Sequence, residues 1–513
     1  MSTKKRVDSI KVRMYRHGFG DCFLLSFMHG EERVFSMLID CGIKKNTKRD
    51  ECPIEKVIED LEVTLTPKGQ KRPVLDVLVA THEHWDHVAY FHPNPKDLFK
   101  DFDIGQVWLA WTENPRDKEA ATINSRLRQG AAALQLAATK LAATDSLAAS
   151  AGDTKAAAAR DSFMKSLDAV LGFYGASLTS EKGIKYKDKG TISLQTQEAM
   201  EHLIGLGKKG GGLKYFTPGT TVDAKLVPEG INVYVLGPPK SSLINKSNPS
   251  GGAAKETYLG IDHTGMTSFI DGLLGASANG DGASLACPFA ADVGIDAKAA
   301  EKNDYFQRDI SSPKTGEFQG TYFHPDEAYR RIDANWLDMA GQLALQLDGA
   351  INNTSLVLAI ELAESGKILL FPGDAQVGSW LSWHDHTWKV ERDGKTVTRT
   401  AQDLLENTVL YKVSHHGSHN ATVKAKGLEM MTHPDLVAMI PEQEGCYNGI
   451  LYKPLLEVLS EKSKGRVLVS ADSHHDPEQL LKERPEGVSA KDWKEFKEHV
   501  VVNPLYVEYT LTS

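Results

Sequence analysis

Thr81-His82-Glu83-His84-Trp85-Asp86-His87 decides how this chain is read. Four side chains of metal-binding type (His82, His84, Asp86 and His87) fall within this short run. Imidazole nitrogen and carboxylate oxygen are donors that zinc accepts, and manganese and iron accept them too. The run follows directly on Val74-Leu75-Asp76-Val77-Leu78-Val79-Ala80, an apolar stretch with the pattern of a buried strand. A loop leaving such a strand can turn several side chains toward one point. His82 and His84, two residues apart, would share one face of an extended turn, while Asp86 and His87 would aim at a neighbouring position. Two metals a few ångströms apart suit that arrangement. A polar surface run is the plainer alternative, but it explains neither the density of donors nor their place at a strand exit.

Two distant segments repeat the pattern. Lys367-Ile368-Leu369-Leu370-Phe371 is an apolar strand that leads into Pro372-Gly373-Asp374-Ala375. Val409-Leu410-Tyr411-Lys412-Val413 leads into Ser414-His415-His416-Gly417-Ser418. An aspartate after a glycine is common in turns, so Asp374 alone carries little. Three strands that each end in donor residues predict donors gathered at one edge of a sheet. Val34-Phe35-Ser36-Met37-Leu38-Ile39 is a further strand, ending at Asp40-Cys41-Gly42, where glycine permits a sharp exit.

At 513 residues the chain suits two to four domains or one elaborated domain. A 41% hydrophobic and 25% charged composition is that of a folded, soluble protein. No apolar run reaches the length of a membrane span, so no membrane partner is expected. The N-terminus has basic residues without an apolar stretch behind them, which argues against a secretory signal. The five cysteines (Cys22, Cys41, Cys52, Cys287 and Cys446) are scattered, with no CxxC pair. A disulfide framework or thiolate zinc site is not expected, and a reducing cytoplasm fits best. The net charge of −9 gives no global attraction for nucleic acid, although a local basic groove remains compatible with it.

Alternating strands dominate the start, at Ile10–Tyr15 and Cys22–Phe27, and a short amphipathic helix is expected from Ile54 to Leu61. From about Lys118 to Phe173 alanine takes over, which predicts a helical pair broken near Gly152-Asp153. Lys182 to Tyr215 is locally basic, either a loop able to approach phosphates or a solvated linker. Ile231–Leu236, Ser355–Ile360 and Arg466–Ser470 read as later strands, and 250–297 as a flexible Gly/Ala/Ser-rich loop. The organisation expected is one α/β domain in two halves, 1–110 and 213–513, separated by an alanine-rich helical insertion over 111–212. That insertion would pack on the main domain, form a homodimer or bind a partner protein.

His82-Glu83-His84-Trp85-Asp86-His87 resembles the HxHxDH signature of the metallo-β-lactamase superfamily. Its flanks look like one branch: Gly18-Phe19-Gly20-Asp21, Ile39-Asp40-Cys41-Gly42, Val235-Leu236-Gly237-Pro238-Pro239, Asn352-Asn353-Thr354-Ser355, Phe371-Pro372-Gly373-Asp374-Ala375 and Ser414-His415-His416-Gly417-Ser418. These are similar to the soluble hydrolase domain of the bacterial DNA-uptake protein ComEC and its free-standing relatives. The resemblance covers about 10–110 and 213–475 and implies an αββα sandwich. It also implies that His82 and His84 bind a first metal, Asp86 and His87 a second, and that Asp374 bridges them. His416 would complete the second position, His415 would contact substrate or oxyanion, and Asp40 would be a buried support for the metal loop.

Many members of that superfamily carry one more histidine just before the strand that precedes the bridging aspartate. Here the place reads Asn352-Asn353-Thr354-Ser355, so the first position is short of a donor, and His263 and His324 are the candidates to fill it. Asn353 and His475, the latter in Ser473-His474-His475-Asp476, are expected substrate contacts. His384 and His386 have metal-like spacing, but no strand delivers them, and Trp380 and Trp383 look like packing residues.

The resulting expectation is a hydrolase using metal-activated water, with Asp374 or Asp86 orienting the nucleophile and His415 stabilising the oxyanion. Its cofactor would be zinc, as two ions, with manganese or iron as alternatives. A phosphodiesterase or nuclease ranks first. A small-molecule ester, lactone or lactam hydrolase is the alternative, and a regulatory or partner-binding protein with a metal centre the third reading.

Overall fold

Apolar strands, most of them buried along nearly their whole length, build two large sheets. The computed structural model describes residues 5–45, 47–131, 134, 171–175, 184–187, 191–247, 299, 302–303, 346–392, 394–444, 446, 451–471 and 476–513. Among these, the first sheet runs in spatial order Val500–Val502, Tyr506–Thr512, Ser9–Tyr15, Cys22–His29, Glu32–Cys41, Val74–Val79, Asp103–Ala110 and Leu213–Phe216. The second runs Val467–Ala471, Val437–Gln443, Thr408–Lys412, Ile368–Phe371, Val357–Leu362 and Ile231–Gly237. The chain is a mixed α/β protein.

Successive strand residues point to opposite faces, so each strand feeds two cores. Phe23, Leu25 and Phe27 join Leu358, Ile360 and Leu369 in one cluster between the sheets. Cys22 and Leu24 turn the other way, toward Val57 and Leu61 of the helix Ile54–Leu65 and Ala199 and Leu203 of the helix Gln195–Lys209. On the second sheet, Ala359 and Leu370 face outward with Trp380 and Leu404, from the helices Val377–Trp383 and Ala401–Glu406. The order through this body is helix, sheet, sheet, helix. Burying both faces explains why these strands read as continuous apolar runs.

The chain divides into two units. The first comprises Met1–Arg128, Leu171–Thr257 and Asp348–Ser513 and holds both sheets. The second comprises Gln129–Val170 and Tyr258–Leu347, where Gly130 lies so close to Leu347 that a Cβ on it would be 2.5 Å from Leu347 Cδ2. Of the insertion expected over 111–212, residues 135–170 lie outside the described ones, as does the loop expected over 250–297. The helix Gln195–Lys209, inside the expected insertion, belongs to the first unit because Ala199, Met200 and Leu203 are buried in its core.

Parallel pairing places the site. Glu32–Cys41 pairs in parallel with Val74–Val79, and Ile368–Phe371 with Thr408–Lys412. The carboxyl ends of neighbouring parallel strands share one edge, the usual place for a ligand crevice in such sheets. The exits Asp40, Thr81–His87, Gly373-Asp374 and Ser414–His416 therefore gather there. Backbone bonds stitch the exits together: Leu356 N donates to Thr81 O at 2.8 Å, Asp21 N to Asp86 O at 2.9 Å and His415 N to Gly373 O at 3.3 Å.

Candidate metal centre

The backbone is bent to aim these side chains. Asp40, His415 and His416 have φ of 57°, 47° and 52°, a left-handed conformation that costs a residue with a Cβ about 1–2 kcal/mol. The two adjacent histidines turn their rings toward the same edge instead of alternating, and Gly417 at φ 82° completes the turn. Close approach does the rest. A Cβ on Gly42 would lie 2.2 Å from both Asp86 C and His87 N, so the donor loop rests directly on that glycine.

Hydrogen bonds then fix which ring nitrogen faces inward. Thr81 Oγ1 donates to Asp40 Oδ2 at 2.7 Å, so it accepts from His82 Nδ1 at 3.1 Å. His87 Nδ1 donates to Asp40 Oδ2 at 2.8 Å, and His416 Nδ1 to the Pro441 carbonyl at 2.5 Å. Each ring thereby turns Nε2 inward. There His82 Nε2 is 3.1 Å from His84 Nδ1, His87 Nε2 3.1 Å from Asp374 Oδ2, and His416 Nε2 3.2 Å from Asp86 Oδ2. Two donors on one tetrahedral zinc would sit roughly 3.3 Å apart, so the spacings are near those of ligand pairs.

Asp86, His87, Asp374 and His416 offer atoms that all lie within 4.8 Å of one another, and all four are buried; this set can hold a metal ion. His82 Nε2 is 3.9 Å from Asp374 Oδ2, which makes that oxygen common to the four-residue set and to the pair His82 and His84. Asp86 Oδ1, His87 Nε2 and Asp374 Oδ2 are buried without a hydrogen-bond partner. Buried polar atoms are rarely left so, and three of them on residues of this one set fit a cation. The second buried triple, Asp21, Asp40 and His87, is instead largely occupied from within, by Lys412 on Asp21 Oδ2, Thr81 on Asp40 and the Asp40–His87 bond.

The electrostatics ask for positive charge at the same point. Burial alone would lower His87, but Asp374, Asp21, Asp40 and Asp86 outweigh it and hold the ring well above its ordinary value. Burial would raise Asp374, yet His87, Lys412, His415 and His416 keep it well below the usual carboxylate range. Asp86 is pulled down to about 2 by His87 and His416 against the same burial. Burial pushes His84 down to about 4, so it stays neutral and able to donate a lone pair. The carboxylates are thus ionised around nitrogen donors, and either protons on the rings or a metal can supply the missing charge.

Of the residues expected from the sequence, His82, His84, Asp86, His87, Asp374 and His416 come together, with Asp40 directly behind them. His415 sits at the rim with 13% of its side chain exposed, its Nε2 4.0 Å from Asp374 Oδ2. Asn353 does not join them. Its Nδ2 donates to Ser247 Oγ at 3.1 Å and its Oδ1 accepts from Gln376 N at 3.2 Å, so both ends of its amide tie loops together. Asn352 is the one that reaches His415, Nδ2 to Nε2 at 3.5 Å. His475, His263 and His324 lie outside the described residues. His384 meets the Lys426 carbonyl at 2.8 Å, away from the centre, and Trp380 and Trp383 pack in the core with ring centroids 4.1 Å apart.

Three residues have a place here that sequence reasoning did not assign. Lys412 is buried, 2.5 Å from Asp21 Oδ2 and 3.4 Å from Asp374 Oδ1. Its signal was a lysine inside an apolar strand just before a donor exit. Asp21 is its partner. Asp348, whose Oδ1 is 4.0 Å from His84 Nε2, precedes the asparagine pair by a helical turn and carried no motif. Comparison with protein-family models and with curated proteins gave no match. Among the described residues, no helix is long and apolar enough to cross a membrane.

Proposed function

We propose that this chain is a metal-dependent hydrolase of the metallo-β-lactamase type, similar to the ComEC hydrolase domain, and that it cleaves phosphodiesters. The observation that carries this is the convergence of inward-facing imidazole nitrogens of His82, His87 and His416 on the ionised carboxylates of Asp86 and Asp374. The helix, sheet, sheet, helix order supports the αββα assignment. His82, His84 and Asp374 would hold a first metal; Asp86, His87, His416 and Asp374 a second. Four donors against three make the second position the tighter. Zinc fits the nitrogen and oxygen donors, with manganese or iron as alternatives, and scattered cysteines support a reducing, cytoplasmic setting.

When bound, such metals supply an electrophile for the scissile group and lower the pKa of the attacking water. The remaining work falls to the chain. Lys412 occupies Asp374 Oδ1, so Oδ2 is the oxygen left to face the centre. Asp86 Oδ1, buried and without a hydrogen-bond partner, would orient the attacking water. Asn352 Nδ2 donates to His415 Nε2, which leaves the His415 proton on Nδ1, itself unpartnered. His415, beside Asp374, would stabilise the oxygen on which charge develops.

The −9 net charge favours a small-molecule ester or lactam as the second reading. The test is metal analysis of the purified protein with a panel of bis-p-nitrophenyl phosphate, single-stranded and duplex DNA, RNA and a chromogenic lactam. Phosphodiester turnover that Asp374→Ala abolishes without unfolding the protein supports the first reading. Turnover of the lactam alone favours the second, and absence of both metal and turnover overturns the hydrolase.

A further inference from the structure

His84 obeys a different rule from its neighbours. His82, His87 and His416 tie up Nδ1 and turn Nε2 inward. His84 offers Nδ1, 3.1 Å from His82 Nε2. Its own Nε2 therefore lies on the far edge of the ring, buried and without a hydrogen-bond partner. Facing it at 4.0 Å is Asp348 Oδ1, also buried and unpartnered. That separation is too long for a hydrogen bond, and a shift of about 1 Å closes it. Asp348 is held from behind, because its Oδ2 accepts from Asn352 Nδ2 at 3.3 Å, one helical turn on. The Phe173 ring, 5.2 Å from the His84 ring between centroids, covers the imidazole.

We propose that Asp348 is the positioning residue of the first metal position: it accepts a hydrogen bond from the Nε2–H of His84 and so reserves the Nδ1 lone pair for the metal. The proposal rests on the metal-centre reading above. A ring nitrogen bound to metal requires its proton on the other nitrogen, and a carboxylate behind that nitrogen fixes the tautomer and raises the basicity of the ligand. Asp348 lies across the ring from His82, so it acts through His84 and does not share an ion held at Nδ1. The stretch before the strand Val357–Leu362, which lacks the histidine expected from the resemblance, thus supplies an outer partner in place of an inner donor.

The experiment compares full-length wild type, Asp348→Ala and Asp348→Asn. Zinc equivalents and affinities are read by chelator competition, and histidine protonation by long-range proton–nitrogen spectra of the zinc-loaded protein. Wild type should bind two equivalents with the His84 proton on Nε2. Asp348→Ala should weaken one equivalent about 10–100-fold and leave the other unchanged. Asp348→Asn, whose amide oxygen still accepts, should recover most of the loss. Two equivalents of unchanged affinity in Asp348→Ala, or a His84 proton on Nδ1 in wild type, overturns the role of Asp348 and leaves the metal reading standing. Wild type without bound zinc overturns both. Should Asp348→Ala not fold, Asp348→Asn decides alone: the Nε2 proton kept supports the proposal, and the proton lost overturns it.

Discussion

Lys412 Nζ lies 2.5 Å from Asp21 Oδ2, and both side chains are closed to solvent. Burial by itself would lower the lysine, but Asp21 and Asp374 hold it well above its ordinary value, so it is charged. Losing one member of such a pair leaves the other buried and uncompensated, at a cost of about 3–5 kcal/mol. Lys412→Met should therefore destabilise the fold by about that amount in urea denaturation. Adding Asp21→Asn should return part of the loss, because the stranded carboxylate is gone. A double variant no more stable than the single one would show that the pair is not the source.

Asp40 serves two donors at once, through Thr81 to His82 and directly to His87. Asp40→Ala removes the acceptor that sets both rings. Its expected effect is a fall in metal affinity of about 10–100-fold, measured by competition with a chelator. Since φ at Asp40 is 57°, alanine is also strained there, and Asp40→Asn, which tolerates that conformation better, should keep more of the stability while still weakening the metal.

Gly42→Ala tests whether the donor loop needs its floor. The added Cβ would press on Asp86 and His87 backbone atoms at 2.2 Å. Backbone cannot yield as a side chain can, so the loop must move. Bound metal should fall while far-ultraviolet circular dichroism stays unchanged; full metal occupancy in the variant would contradict the account.

Glu113 gives a pH signature apart from the metal. Burial, then Glu83, pushes its carboxyl up to about 8 from an ordinary 4.5. The folded state thus keeps a proton that the unfolded state releases above about pH 4.5. The stability it gives is whole below pH 4.5 and is lost as pH rises to about 8. Glu113→Gln should match wild type in acid and be the more stable of the two near pH 8, and parallel curves across that range would refute the shift.

The donors were legible because each sits at the end of an apolar run, and such runs are strands wherever both faces are buried. The expected strands at Val74, Val34, Ile231 and Arg466 form within a residue or two of their expected limits. Lys412 was not legible, because a lysine in a strand ordinarily marks a solvated face. Asn352 and Asn353 show the limit of spacing: at a helix end one residue decides which amide faces the centre and which ties down Ser247 and Gln376. The strands Asp103–Ala110 and Val437–Gln443 carry no motif at their ends, so nothing in their sequence ties them to the site. Sheet order was legible only where neighbours follow one another, as Cys22–His29 and Glu32–Cys41 do; the pairing of Ser9–Tyr15 with Tyr506–Thr512 has no local signal.

Ser9–Tyr15 pairs with Tyr506–Thr512, Ser9 opposite Thr512, and Ser513 N donates to Asp8 O at 2.9 Å. Two strands far apart in sequence are therefore neighbours in the first sheet. A ribosome delivers every metal donor, from His82 to His416, well before that last strand emerges. Until it does, Ser9–Tyr15 has a neighbour on one side only, Cys22–His29, and the sheet that carries Thr81–His87 has a bare edge.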